Sequence, residues 1–305
     1  MNFDHEPVLA RQVEAFFIEH APQTLVDGTL GGAGHASMML HALPKLRLIG
    51  VDRDPAARRA ASERLAEFGE RASVHESTYS EMGEVLDELG QGTVDAIFLD
   101  LGVSSHQLDT AERGFSFRAD APLDMRMDPT RGLSAAELIA QSDAESLADI
   151  LWRYGEERQS RRIARAIVAE QPTRTRELAE IVERLLPHMR GRTHPATRTF
   201  QALRIAVNDE LGELERWLER FVTLLNPGGV AAVLTFHSLE DRMVKQRFRA
   251  LCEAPSVSKF LPPEEHTTEF ELPFRKPMIA SDEEVEQNPR ARSAKLRAIR
   301  KKDWL

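Results

Sequence analysis

Apolar runs without alternation punctuate the first hundred residues at Thr24–Val26, Leu46–Val51 and Val94–Leu99, and each is followed by an aspartate: Asp27, Asp52 and Asp100. A weaker run lies at Ser73–His75. Such runs suit strands buried on both faces. Between them the spacing predicts helices over His35–Leu43 and over Pro55–Phe68, the latter alanine-rich with proline in its first turn. Strand and helix in alternation predict a parallel α/β sheet. The pattern then changes. Gly102–Gly132 reads as a long loop and Ser134–Met189 as wholly helical, Asn226-Pro227-Gly228-Gly229 as a turn, and Val230–Phe236 as a strand again. Pro255–Arg290, rich in Pro and Glu, predicts an extended surface segment. The expected organisation is an α/β core in two parts, 1–106 and 196–305, interrupted by a helical insertion over 107–195.

Asp27-Gly28-Thr29-Leu30-Gly31-Gly32-Ala33-Gly34-His35 joins the first strand to a helix. Glycines at such a corner allow positive φ and close approach of a ligand to the backbone. Asp52 ends the next strand, where an acid can accept both ribose hydroxyls of a nucleoside. Ser37 stands where a pyrophosphate-binding turn wants its third glycine. Asp27, Asp52, Asp100 and His237 crowd the strand ends, a setting that suits a cationic ligand and repels a pyrophosphate. These features favour S-adenosylmethionine over a dinucleotide.

Composition narrows the class. At 42% hydrophobic and 29% charged residues the chain reads as a soluble globular protein. No apolar run is long enough to cross a membrane, and Met1–His5 lacks the basic, then apolar, start of a secretory signal. Cys252 stands alone, so a reducing compartment is expected and the cytoplasm fits best. A net charge of −9 argues against indiscriminate binding to polyanions. The cations are nonetheless clustered. Seven Lys or Arg and no acid lie between Arg290 and Lys302, and seven arginines against three glutamates lie between Arg153 and Arg176. Arg158, Arg161, Arg162 and Arg165 would share one helix face, opposite Ile163 and Ile167, although a solvated face with Glu157 paired to Arg161 explains the same spacing. With Arg198 and His194 near a helix start and Arg292 in the basic tail, two basic tracks suit a folded RNA.

The motifs run in a specific order: Asp27-Gly28-Thr29 with Gly34-His35; Asp52-Arg53-Asp54-Pro55; Leu99–Ser105; Glu112–Phe117; Pro122–Asp128; Tyr154–Arg158; His194–Gln201; Phe236–Arg242; and Asn288–Ser293. In these stretches, spread over nearly the whole chain, the sequence closely resembles the bacterial ribosomal RNA small subunit methyltransferase H family, the 16S rRNA cytidine N4-methyltransferases. The resemblance implies a class I, Rossmann-like methyltransferase sheet with a helical insertion. It implies S-adenosylmethionine as donor and a cytidine of the decoding centre of 16S rRNA, within the small ribosomal subunit, as target; a homodimer is left open. Carried over as cofactor contacts are Ala33, Gly34, His35, Asp52, Tyr79, Asp100 and Gln107. Three positions depart from the family's usual residues. Ala33 replaces Gly, harmless where φ is negative; Tyr79 replaces Phe, adding a hydroxyl; and His106 replaces Pro.

The cytosine amine is a poor nucleophile, because its lone pair is delocalised into the ring. An acceptor for its hydrogens would restore pyramidal character and take up developing charge. Asp100 is the candidate, with service to the cofactor alone as an equal alternative. Phe115, Phe117 and Tyr154 could stack on a base drawn out of its helix, or pack internally. Arg126, His237 and Ser238 complete the expected substrate contacts with Arg158, Arg162, His194, Arg198 and Arg292. His237 and Ser238 should point to opposite faces and so form no hydrolytic pair. Asp124, Asp128 and Glu240-Asp241 invite a metal, but methyl transfer to nitrogen requires none and no metal-ligand spacing is present, so none is expected. Competing readings are a nicotinamide oxidoreductase on the same sheet and a ribosome-assembly factor without catalysis.

Overall fold

The computed structural model describes residues 7–187, 194–253 and 268–303. Met1–His5, and residues 255–267 of the segment expected to be extended, lie outside them. The chain divides into two compact units, residues 1–102 with 212–305, and residues 103–211. Among the described residues no helix is long and apolar enough to cross a membrane.

The first unit is built on an eight-stranded sheet. Strands β1 (Thr24–Asp27), β2 (Arg47–Asp52), β3 (Ala72–Glu76), β4 (Val94–Asp100) and β5 (Leu225–Thr235) are parallel in the order β3-β2-β1-β4-β5. Strand β8 (Lys295–Lys301) continues the sheet antiparallel to β5. Short strands β6 (Phe270–Glu271) and β7 (Met278–Ile279) pair with opposite ends of β8. The strand order reverses between β1 and β4, the switch point at which open α/β sheets hold their ligands.

Helices α1 (Ala10–His20), α2 (Gly34–Ala42) and α3 (Pro55–Leu65) belong to this unit, as do α4 (Met82–Glu88), α12 (Ser238–Cys252) and α13 (Asp282–Gln287). Buried Phe17, Leu40 and Leu48 pack on one face of the sheet; Val26, Ile97 and Trp217 pack on the other. Helix α3 ends at Leu65, short of the predicted Phe68, and the chain tightens into a 3-10 turn through Gly69 at φ +55°. The glycine turn at Asn226–Gly229 lies inside β5: it bulges out between the pairs Val94↔Leu225 and Ala96↔Val230. Helices α1 and α4 escape the sequence pattern, since short amphipathic helices give a weak periodic signal.

The second unit holds helices α5 (Ser105–Asp109), α6 (Ala135–Gln141), α7 (Ala144–Gly155), α8 (Ser160–Glu170), α9 (Thr175–Leu185) and α10 (Thr197–Asn208) around its own core of Met125, Leu151, Ile163, Leu178 and Leu203. Its C-terminal limit falls at Leu211, within α11 (Glu210–Leu224), where 195 was expected. The reason is α10: its buried Phe200 and Leu203 join this core, and Gly155 lets α7 approach so closely that a Cβ there would lie 2.7 Å from the Arg198 carbonyl oxygen.

Candidate active site

In β1, Asp27 pairs with Gly50 of β2 and Phe98 of β4, so both neighbours run two residues further, to Asp52 and Asp100. A notch results, and the glycine corner fills it. Gly28 N donates to Phe98 O at 3.0 Å and Leu30 N to Val51 O at 3.1 Å. A Cβ on Gly28 would sit 2.6–2.8 Å from Leu99, Met82 and Tyr79, so only glycine fits. Thr29 N donates to Asp27 Oδ1 at 3.1 Å, and Asp100 N donates to Thr29 Oγ1 at 2.6 Å. Asp27 and Thr29 thereby lock the corner to the end of β4; the sequence pattern did not single Thr29 out.

Asp52 accepts from Gly31 N at 2.7 Å and Asp54 N at 2.8 Å, one donor on each oxygen. Each oxygen keeps acceptor capacity for a further hydroxyl, so a ribose fits. Ala33 precedes α2 with φ +58° and ψ +31°, fully buried. The exchange for glycine is therefore not the harmless negative-φ case; Ala33 occupies the left-handed region, at a cost of about 1–2 kcal/mol. The N-terminus of α2 has no side-chain cap and no acid in its first turn.

His35 lies in that first turn, its ring edge-on to Phe98 at 4.9 Å and its Nε2 3.6 Å from Asp100 Oδ2. Neither ring nitrogen has a hydrogen-bond partner, and Asp100 Oδ1 is buried without one. Burial pushes the imidazole down to about 3, so the ring is neutral and the contact with Asp100 is no salt bridge. Burial, then the charges of Asp27 and Glu240, push the Asp100 carboxyl up to about 8; burial pushes Asp27 up to about 7. A cluster of carboxyls held partly neutral, with unsatisfied polar atoms among them, is what a cationic ligand would complete. Tyr79 is 8% exposed and packs beside Gly28.

Of the other expected contacts of this unit, His237 is held in a helix cap while Ser238 and Arg292 are exposed. His237 is the N-cap of α12: its Nδ1 accepts from Glu240 N at 3.4 Å, while Glu240 Oε2 accepts from His237 N at 3.2 Å and Phe236 N at 2.8 Å. This reciprocal capping box holds His237, expected as a substrate contact, against buried Glu240. Ser238 is exposed at the start of α12. In the basic tail Arg292 is exposed, but Lys295 Nζ (3.1 Å) and Arg297 Nε (2.7 Å) donate to Asp241 from within β8. Those two cations pin strand to helix, where the sequence suggested a loose basic track.

In the helical unit Gln107 is 5% exposed and forms a capping box with Ser104, whose N donates to Gln107 Oε1 at 3.0 Å. Arg126 is forked onto Asp124, with Nε–Oδ1 at 2.8 Å and Nη2–Oδ2 at 2.7 Å. Asn208 spans the same loop, accepting from Met127 N and donating to Met125 O, both at 2.7 Å. His194 stacks on Phe117 at 4.3 Å with Nε2 2.6 Å from Glu183 Oε1, and Phe115 is in the core. These expected ligand contacts and stacking surfaces have structural partners. Helix α8 begins at Ser160, so Arg158 precedes it, but Arg158, Arg161, Arg162, Arg165 and Arg198 are all exposed. Glu157 does not balance that face: it is 2% exposed, with Oε1 accepting from Gln159 N and Oε2 unpartnered.

Residues 2–302 match the MraW methylase family. The chain is 51% identical over 310 residues to the ribosomal RNA small subunit methyltransferase H of Geobacter sulfurreducens, covering 99% of this chain and 100% of that one. It is 49% identical over 307 residues to the protein of that name from Nitratidesulfovibrio vulgaris, covering 97% and 95%. Its identity to the namesake from Symbiobacterium thermophilum is 47% over 314 residues, covering 98% and 97%.

Proposed function

The chain belongs to the MraW methylase family, and from that premise we propose that it methylates the exocyclic N4 amine of one cytidine in the decoding centre of 16S rRNA, in the small ribosomal subunit. It is a methyltransferase that uses S-adenosylmethionine. The observation that carries the reading is the placement of Asp100 at the switch point, its Oδ1 buried and unpartnered beside neutral His35.

The cofactor supplies an electrophilic methyl on a sulfonium. The remaining work falls to the chain. Gly34 and His35 open the N-terminus of α2, Asp52 offers a free acceptor site on each oxygen for a ribose, and Tyr79 lies against Gly28 as the wall expected to face adenine. Asp27 and Asp100 are the carboxyls that a cation would convert to their charged form, as opposite charge favours ionisation. Once ionised, Asp100 can accept a hydrogen bond from the cytosine amine and draw off the proton released as nitrogen bonds to carbon. Holding the amine in line with the methyl group would supply much of the remaining acceleration. Arg158, Arg162, Arg198 and Arg292 are the exposed cations assigned to RNA phosphates.

Mapping methylated nucleotides on rRNA from cells with and without the protein tests the reading. Loss of the N4-methyl at a single cytidine is expected; an unchanged rRNA would sink it. Asp100→Asn separates the two roles of Asp100: a slower single turnover at saturating cofactor assigns it to the amine, whereas weaker cofactor binding with an unchanged rate assigns it to the cofactor.

A further inference from the structure

Strands β6 and β7 leave the middle of β8 bare. Pairing covers Lys301 and Arg300 at one end and Leu296 and Lys295 at the other, and no strand among the described residues pairs with the outer edge over residues 297–299. There residues 272–277, α12 and β8 border a shallow surface cleft. Phe248 is a buried part of its lining and Phe274 a half-buried one, with the Phe274 ring 6.1 Å from Phe16. Five cations line it: Lys245, Arg249, Arg275, Lys276 and Arg297, with no acid among the lining residues.

Two of the five are balanced, Arg297 by Asp241 at 2.7 Å and Arg249 by Glu253 at 4.0 Å. Lys245, Arg275 and Lys276 are exposed and have no acidic partner among the described residues. In a chain of net charge −9, three unbalanced cations around one cleft are a local reversal of sign. Cations grouped in this way match the phosphodiester backbone of a nucleic acid. RNA is the occupant because the proposed function makes it the substrate and the lining offers cations with no acid among them.

We propose that this cleft is a second RNA-docking site, in which Lys245, Arg275 and Lys276 hold the phosphodiester backbone outside the catalytic notch. The proposal rests on RNA being the substrate. It gives the sheet unit an RNA contact beyond Arg292, independent of the arginines of the helical unit. None of the three cations belongs to the cofactor-binding set.

The test is the full-length triple variant Lys245→Ala, Arg275→Ala, Lys276→Ala, with the charge-preserving triple Lys245→Arg, Arg275→Lys, Lys276→Arg beside it. Affinity for protein-free small-subunit rRNA is measured from ~50 to ~200 mM salt, with cofactor affinity and the single-turnover rate at saturating RNA alongside. Removing three phosphate contacts should lower the slope of log affinity against log salt by about 2, at roughly 0.7 per contact for single strands, and weaken binding at least about tenfold. The saturated rate and cofactor affinity should not change, and the charge-preserving triple should bind as wild type. Unchanged affinity and slope in the alanine triple, with a wild type that methylates rRNA, would overturn the docking site alone. Weakened binding to assembled subunits but not to protein-free rRNA would also overturn it, assigning the cleft to a protein partner. Failure of the wild type to methylate any rRNA would instead remove the function on which the proposal stands.

Discussion

Nε2 of His35 lies 3.6 Å from Oδ2 of Asp100, a contact between an imidazole kept neutral by burial and a carboxyl raised to about 8. The two groups have opposite consequences for stability. Folded Asp100 holds a proton that the unfolded chain has lost, so its contribution to the cofactor-free protein falls as pH rises from about 4 to about 8. Folded His35 excludes a proton that the unfolded chain binds, so its contribution rises from about pH 3 to about 6.5. Between about pH 6.5 and 8 the carboxyl slope stands without that offset. Cofactor-free protein is expected to lose stability across this window in denaturant titrations, and Asp100→Asn to reduce the loss, with Asp27 supplying the remainder.

The same carboxyls predict proton release on cofactor binding. A cation stabilises their ionised forms, so calorimetry near pH 7 in buffers of different ionisation enthalpy should detect protons leaving the protein. Asp100→Asn should release fewer. Equal release in both proteins would remove Asp100 from the cofactor's surroundings.

Gly28→Ala places a methyl group 2.6 Å from Leu99 Cδ2 and 2.8 Å from Tyr79 Cβ. Overpacking of this kind costs about 1–3 kcal/mol, and it moves Tyr79. A lowered melting temperature together with cofactor affinity reduced about tenfold is expected; stability lost with affinity intact would place Tyr79 away from the cofactor.

Ala33 offers the opposite test. Ala33→Gly relieves a left-handed alanine but removes a buried methyl group, and should leave stability unchanged or raise it by up to about 1 kcal/mol. Ala33→Val adds β-branching at φ +58° in a fully buried position and should cost more than about 2 kcal/mol. Paired thermal melts read both.

Asp241 gives part of the basic tail a structural role. Burial pushes its carboxyl up, but hydrogen bonds from Arg297 and then Lys295 outweigh that and hold it below the usual range. The stability it confers is present at neutral pH and is lost in acid, as pH falls through the lowered value. Arg297→Ala should destabilise the protein by about 1–3 kcal/mol while leaving the salt dependence of RNA binding unchanged. Arg161→Ala, Arg162→Ala and Arg165→Ala together should do the reverse.

The fold was legible where the physics is local and strong. The buried strands β1, β2 and β4 are each a run of apolar residues closed by an acid, whereas β5, equally buried, ends at Thr235. Less legible was the division between binding residues and scaffold residues. His237 and Gln107, expected as ligand contacts, each also sit in a capping box, Glu240 three residues after His237 and Gln107 three after Ser104. That spacing was a readable signal. Arg126, by contrast, is claimed by Asp124 only two residues away, and the positive φ of Met125 between them has no signature in a methionine. The cleft at β8 was invisible because its cations come from separate stretches that only the sheet edge brings together.

The split of the sheet unit sets the order in which the protein can assemble. Asp100 of β4 pairs with Leu234 of β5 across the whole intervening insertion. Closing an open loop of that length costs about 4 kcal/mol in chain entropy. An insertion that condenses early around its own apolar centre draws β4 and β5 together before they meet. Mutations in that core should slow the pairing of β4 with β5, and on the ribosome β1 to β4 must wait, half a platform, for a neighbour still to be synthesised.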